Sequence, residues 1–510
     1  MQFTSMVYLG FFAAVFFVYW ALPHRFRWAL CLAASLLFYA LLGLPALCVL
    51  LCCIGISYGM GLLLAQKKGR AWLAVCVAAA LFPLLLFKYF DSLAALAGGR
   101  TSVSLLMPVG ISFFTFKIIA YLVEVWRGTL PAQQHFGKYA LYVSFFPEVS
   151  SGPIQRPDDL LLQLEVPRVF DKTQAIQGAQ LALWGFFKKL MLADNLAYYV
   201  HTGFTSHMQI IGPSIILAAV LYSLQLYFDF SGYSDIAIGC MKLLGFTVPD
   251  NFKSPYFSKS IREFWARWHI SLSSFLRDYV YFPLGGSRRG TVRTCVNLLL
   301  TFLISGLWHG TGLQFVAWGL LHGAYQVAGR LTQGLRHRAW TLSHLCEDGR
   351  FACAVKMLCT FSLVTVAWVF FGADSLSHAL ILFRRMTDSF SLSPQTWKNA
   401  LVMLELNGTM LLRLGAAGLL AFVADFKARE IGFTAWLSAR KKWVQAALCY
   451  AMLLFIAFFA PVGGGSFIYF KFFGGVRLPP RGCARGRTKS RPCCVSCKAL
   501  AKSVPGGDLS

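Results

Sequence analysis

Apolar residues recur along the chain in runs of membrane-spanning length. A helix needs about 20 apolar residues to cross the hydrocarbon core of a bilayer. Runs of that order fall near 5–22, 29–44, 46–65, 71–87, 175–193, 209–228, 294–308, 313–329, 352–372, 410–426 and 443–461, which predicts about 11 spanning helices. Shorter apolar stretches at 109–126, 139–147 and 232–246 are interrupted by Gly, Pro or charge. They are predicted as re-entrant or half-spanning helices, which persist at membrane depth only when buried in protein or lining a cavity. The first run has no basic segment before it and no small-residue cleavage site, so it reads as a span rather than a cleaved signal. The expected fold class is therefore all-α, a polytopic integral membrane protein.

Composition agrees with this pattern. The 510 residues are 57% hydrophobic and only 13% charged, with a mean hydropathy of +0.60. A soluble domain carries about 25% charged residues, so disordered, collagenous and secreted disulfide classes are excluded. The charge is lopsided, with 47 Lys+Arg against 21 Asp+Glu, a net +26. These basic residues cluster in short segments between apolar runs, the positive-inside pattern, and no nucleic-acid partner is expected. The loops His24-Arg25-Phe26-Arg27 and Gln66-Lys67-Lys68-Gly69-Arg70 are both basic and one helical hairpin apart. Both are expected in the cytoplasm, which places the N-terminus in the periplasm. Cys31, Cys48, Cys52, Cys53 and Cys76 show no disulfide spacing and read as small buried hydrophobes.

One stretch departs from the membrane pattern. Between Asp250 and Arg293 the chain is polar, aromatic and basic. It reads either as an interfacial amphipathic helix with a snorkelling basic face or as a water-filled re-entrance. If Arg267-Trp268-His269-Ile270-Ser271-Leu272-Ser273 is helical, Trp265, His269 and Ser273 share one face. Arg262 and Arg277 bracket them, and Asp278 is placed to pair with an Arg. Such a mouth, with Arg262, Arg267, Trp268 and Arg277 as candidate donor-binding residues, suits an anionic carrier such as coenzyme A. A purely structural His269, bonded to a backbone carbonyl, is the competing reading.

An ionisable residue within a span is costly unless it has a partner or a function. His309 ends the apolar run Cys295–Trp308, in Leu307-Trp308-His309-Gly310. On one straight helix, Arg293 to His309 rises about 24 Å, which carries the imidazole deep into the membrane. Imidazole is well suited to accept a hydroxyl proton near neutral pH. Asp229 and Asp235 end another apolar run, six residues apart and so on different helix faces. They are candidates for holding a His, an Arg or a broken helix end rather than for paired acid–base work. His322 follows in Leu321-His322-Gly323. Two membrane histidines raise the question of haem, but C-x-x-C-H is absent, and no metal site or bound cofactor is expected. P-loop, H-E-x-x-H and G-x-S-x-G patterns are absent too. Cys494-Val495-Ser496-Cys497 has no second pair and carries little weight as a zinc or redox site.

Trp308-His309-Gly310 after an apolar run, with Arg267-Trp268-His269-Ile270-Ser271-Leu272-Ser273 upstream, resembles the membrane-bound O-acyltransferase (MBOAT) family, in its bacterial alginate O-acetyltransferase-like branch. Pro108-Val109-Gly110-Ile111-Ser112-Phe113, Phe146-Pro147 with Gly152-Pro153-Ile154, Phe187-Lys188-Lys189, Tyr227–Asp235, Asp278-Tyr279 with Pro283-Leu284-Gly285-Gly286, and Phe467-Ile468-Tyr469-Phe470 follow in the order of that branch. Ser150-Ser151 before Gly152-Pro153 is a minor departure. The resemblance covers 1–473, read as one transmembrane acyltransferase domain, and leaves 474–510 as a basic, disordered tail. That tail holds eight Lys/Arg against Asp508, so the body carries +19.

The resemblance implies re-entrant helices around a tunnel, with His309 and His269 catalytic. Trp308 and His322 are candidate substrate-binding residues, as are Asp229 and Asp235. It implies an acyl donor such as acetyl-CoA or another thioester on the cytoplasmic side. The implied acceptor is a polysaccharide on the periplasmic side of a bacterial inner membrane, served with a periplasmic SGNH-type acetyltransferase partner. Alginate leads among acceptors; cellulose, peptidoglycan and D-alanyl transfer to teichoic acid are alternatives. A transporter for a polysaccharide or lipid intermediate shares the architecture, but such proteins are often built from paired halves, and no internal repeat occurs. A non-catalytic scaffold would tolerate loss of both His269 and His309.

Overall fold

A computed structural model describes residues 2–96, 107–150, 152–342, 346–347 and 349–461. Every regular element among them is helical. The first four helices are α1 (Met6–Ala21), α2 (His24–Ala40), α3 (Leu44–Gln66) and α4 (Arg70–Leu96). Short helices follow: α5 (Ile111–Arg127), α6 (Phe136–Ser144), α7 (Phe146–Val149) and α8 (Pro157–Glu165). Helix α9 (Lys172–Phe186) runs through a π-helical turn, Phe187–Ala193, into α10 (Asp194–Thr205), and α11 spans Gly212–Leu243. The polar stretch forms α12 (Ile261–Arg267) and α13 (Ile270–Leu276), which lead to α14 (Gly290–His309) and α15 (Leu313–Leu331). The chain continues through α16 (Gln333–Leu342), α17 (Arg350–Gly372), α18 (Leu376–Thr387), α19 (Pro394–Met403), α20 (Gly408–Ala428), α21 (Phe433–Ser438) and α22 (Lys442–Phe459).

Seven of these helices are long and apolar enough to cross a membrane: α3, α4, α11, α14, α17, α20 and α22, with α1 a shorter apolar helix. The hydropathy reading expected about 11. The run at 29–44 falls in the 17-residue α2, which ends at Ala40, and those at 175–193 and 313–329 are helical but carry Gln, Lys or His. Hydropathy does not distinguish a helix that faces lipid from one that faces protein. The stretch at 232–246, expected as a half-span, instead merges with 209–228 into the 32-residue α11. Helix α11 is largely buried in the protein, whereas α22 buries only Gln445 and Met452. The stretches at 109–126 and 139–147 form the short, heavily buried α5 and α6. Cys31 and Cys76 are buried, but Cys48 and Cys52 lie on the exposed face of α3. The Phe467–Phe470 motif, the C-x-x-C and the tail from 474 lie outside the described residues.

Small residues let the central helices approach closely, as is usual where lipid supplies no hydrophobic drive for helix pairing. A Cβ on Gly185 of α9 would fall 2.5 Å from the Gly232 carbonyl oxygen of α11, and one on Gly239 would fall 2.6 Å from that of Gly178. Gly306 of α14 and Gly319 of α15 are similarly crowded, by the backbone oxygens of Phe315 and Phe302. Backbone contact at this second pair fixes where His309 and His322 stand relative to each other.

Candidate active site

The expected helix over Trp265, His269 and Ser273 is broken. Helix α12 stops at Arg267, Trp268 is extended, and His269 adopts a left-handed conformation (φ 43°, ψ 57°) before α13 begins. Positive φ at a non-glycine residue costs about 1–3 kcal/mol and persists only where the surroundings impose it. Here Asn251 and its neighbours impose it. Ile270 N–H donates to the Asn251 carbonyl at 2.9 Å, and Lys253 N–H to that of Arg267 at 2.9 Å. The buried Asn251 side chain accepts from Ser271 N–H at 3.2 Å and from Ser271 Oγ at 2.9 Å, and stands 3.2 Å from His269 Nδ1. Ser271 Oγ in turn accepts from Ile154 N–H at 3.0 Å, which ties the Gly152-Pro153-Ile154 segment to this elbow. Burial pushes the His269 imidazole down to about 3, so it is neutral at any physiological pH.

Helix α14 runs unbroken from Gly290 to His309, a rise of about 28 Å. Helix α14 thus carries His309 at the end opposite its arginine-rich start. His309 is its last residue, and Gly310 turns away in extended conformation. The exposed last-turn carbonyls of α14 are capped from α4, where Lys88 Nζ donates to the Trp308 oxygen and Tyr89 Oη to the Leu307 oxygen. Neither cap was anticipated from sequence, although a lysine within a hydrophobic helix was a signal available to be read. Lys88→Met combined with Tyr89→Phe should lower stability by about 1–3 kcal/mol. A fall in the thermal midpoint of the detergent-solubilised protein would show it.

Aromatic rings join the two elements. The His269 and Trp308 ring centroids are 6.4 Å apart, and those of Trp308 and His309 4.7 Å. Phe113 and Phe116 of α5 pack on Trp308 at 5.7 and 5.3 Å. On its other side His309 meets Trp318 at 4.9 Å and Phe371 at 5.2 Å. His322, fully buried, lies 5.1 Å from Trp318 and accepts from Trp265 Nε1–H at 3.2 Å. Trp308 Nε1 and His269 Nε2 are buried without a hydrogen-bond partner among the described residues. The site thus combines a buried aromatic cage, three imidazoles and an unsatisfied indole donor.

The remaining candidates fall into two other places. Arg277, Arg288, Arg289 and Arg293 are exposed at the far end of α14 from His309, and Arg262 is exposed on α12. Trp126 Nε1–H donates to the Lys68 carbonyl at 2.9 Å, and Tyr279 Oη to Glu124 at 2.8 Å, so the Lys67–Arg70 loop shares that face. Asp278 pairs with Arg156 and with Arg277. Burial alone would raise the Glu124 carboxyl, but hydrogen bonds from Thr129 and Tyr279, with Arg127 and Arg156 nearby, hold it below the usual carboxylate range. Arg267 is bound to Glu263 at 3.0 Å and Glu430 at 3.5 Å, and Trp268 packs among Phe252, Phe264 and Trp368. Asp229 pairs with Lys189 at 2.5 Å and Asp235 with Lys188 at 2.6 Å, where α11 meets the π-helical turn. A polar cavity of about 40 Å³ is lined by Lys188, Asp235 and Asp425 and by none of His269, His309 and His322. The structure therefore brings His269, Trp308, His309 and His322 together and leaves Arg262, Arg267, Arg277, Asp229 and Asp235 apart from them.

Comparison with known proteins identifies the family. Residues 130–376 match the model of the family described as MBOAT, membrane-bound O-acyltransferase. The chain is 38% identical over 404 residues to a probable alginate O-acetylase AlgI of Pseudomonas putida, covering 76% of this chain and 80% of that one. It is 35% identical to a peptidoglycan O-acetyltransferase of Helicobacter pylori, covering 69% and 72%. It is 27% identical to a teichoic acid D-alanyltransferase of Bacillus subtilis, covering 62% and 82%. Both the family model and these alignments describe polytopic acyltransferases, and the chain belongs to the membrane-bound O-acyltransferase family.

Proposed function

We propose that this acyltransferase is a bacterial inner-membrane O-acetyltransferase. It takes acetyl from a cytoplasmic thioester such as acetyl-CoA and delivers it towards a hydroxyl of a periplasmic exopolysaccharide such as alginate. The observation that carries this reading is His309, seated with His269 and Trp308 in one buried cage about 28 Å along α14 from its arginine-rich start. Helix α4 supports the orientation. It leaves the basic Lys67–Arg70 loop, and 18 residues on, about 27 Å away, its Lys88 reaches the end of α14. Two helices leaving basic loops meet at their far ends, which fits a cytoplasmic basic face and a periplasmic N-terminus.

In this reading the reacting hydroxyl gives its proton to His309 as its oxygen attacks the thioester carbonyl, while a neighbouring hydroxyl of the acceptor donates a hydrogen bond to His269 and orients it. The tetrahedral oxyanion accepts from Trp308 Nε1–H, a donor already desolvated and unpaired. The C–S bond then breaks, and the proton held by His309 passes to the departing thiolate. A periplasmic SGNH-type partner would carry the acetyl onward. The similarity to the alginate O-acetylases favours alginate as final acceptor, and the likeness to the Helicobacter pylori relative keeps peptidoglycan as the second reading. Inside-out membrane vesicles supplied with [¹⁴C]acetyl-CoA test the donor side. Arg288→Ala with Arg289→Ala should raise the half-saturating donor concentration about tenfold with maximal rate intact, the effect of losing about 1.4 kcal/mol of ground-state attraction. Wild-type vesicles that transfer no label would refute the acetyl-CoA reading.

A further inference from the structure

We propose that Asn251 is a positioning residue that sets the tautomer of His269, leaving its Nε2 as a bare lone pair for a hydroxyl of the acceptor next to the reacting one. This rests on the reading above, in which His269 orients the acceptor through that neighbouring hydroxyl. The amide orientation is fixed from both ends. Ser271 N–H can only donate, so the Asn251 atom 3.2 Å from it is the oxygen. The amide nitrogen then faces Ser234 Oγ, donating at 3.0 Å. Ser271 Oγ is engaged as an acceptor by Ile154 N–H, and its own proton goes to the same amide oxygen at 2.9 Å in preference to His269 Nδ1 at 3.5 Å. An imidazole nitrogen 3.2 Å from that oxygen must carry hydrogen, so Nδ1 is the protonated position of His269.

A neutral imidazole has only one N–H. Nε2 therefore presents a lone pair, and it is buried with no partner among the described residues. An unconstrained imidazole would divide between both tautomers, and only one of them can accept from a hydroxyl through Nε2. The choice of an amide over a carboxylate also matters. Aspartate at 251 would orient the ring equally well but would favour imidazolium, whereas asparagine fixes the tautomer and leaves the ring neutral. Asn251 stands outside the Arg267–Ser273 motif, 18 residues before His269, and reaches it only through the left-handed elbow.

The test uses a deletion strain complemented with full-length variants at matched membrane levels and fed [¹⁴C]acetate. The rate at which base-labile label appears on exported polysaccharide is measured. His269→Gln should lose about 10²-fold or more, and Asn251→Leu about 10²-fold, the cost of a misoriented acceptor. The double variant should be no slower than His269→Gln alone, within about threefold, because both changes remove one function. Asn251→Asp, which still accepts from Nδ1–H, should stay within about tenfold of wild type. Asn251→Leu at wild-type rate overturns the proposal, as does a double variant as slow as the product of the singles. His269→Gln at wild-type rate also overturns it, and assigns the failure to the role given His269 itself. Should Asn251→Leu not accumulate, nitrogen NMR of the wild-type [¹⁵N]histidine protein decides. A His269 signal, identified by its loss in His269→Gln, with Nδ1 protonated supports the proposal; Nε2 protonated overturns it.

Discussion

Replacing His309 by alanine is expected to stop ester formation, lowering transfer by about 10²–10⁴-fold while the protein inserts and folds as before. The separation of activity from folding follows from position. His309 is the final residue of α14, so its loss interrupts no helical hydrogen bond downstream, and the Lys88 and Tyr89 caps on the preceding carbonyls remain. Its ring contacts Trp308, Trp318 and Phe371; without it Trp318 and Phe371 still pack on each other, and Trp308 still packs on Phe113 and Phe116. What disappears is the group able to take a hydroxyl proton at that depth. His309→Gln keeps most of the volume and should be equally inactive, which separates lost proton acceptance from lost packing. Quantified membrane protein alongside base-labile acetate checks both halves of the expectation.

Lys189→Met should have the largest effect on stability. The Lys189 ammonium lies between Asp229 at 2.5 Å and Asp194 at 2.8 Å, and all three side chains are nearly inaccessible, at 2–4% exposure. Removing one partner of a buried ionic cluster leaves uncompensated charge and typically costs about 3–5 kcal/mol. The variant should accumulate poorly and melt early, and Lys189→Met with Asp229→Asn should recover part of the loss. Turnover per folded molecule should be little changed, because this cluster is separate from the histidine cage. A Lys189→Met protein of normal thermal midpoint and lost turnover would show that Asp229 takes part in handling the substrate.

The histidine cage was legible in the sequence to the extent that it lies in uninterrupted runs. His309 and Trp308 close an apolar helix entered from a basic loop, and His322 sits 13 residues later on the returning helix. Hydropathy and a 1.5 Å rise suffice for that placement. The elbow was not legible, because nothing in residue order announces a left-handed histidine; it depends on Asn251 bonding across a turn. Asp229 and Asp235 were visible as intramembrane carboxylates, and Lys188-Lys189 as intramembrane ammoniums. Pairing them required the register between α9 and α11, which the close glycine contacts set. The apolar runs outnumber the described helices that are long and apolar enough to span alone for a related reason. Apolar runs such as 175–193 serve protein contacts as readily as lipid contacts.

The central claim is that the cage at the end of α14 is where a thioester acyl group is passed to a hydroxyl. Its most direct test is the initial rate of [¹⁴C]acetyl transfer from acetyl-CoA to base-labile ester in membrane vesicles holding equal amounts of wild-type and His309→Ala protein. The account predicts robust transfer by the first and a rate lower by about 10²-fold or more in the second. Equal rates in the two would contradict it.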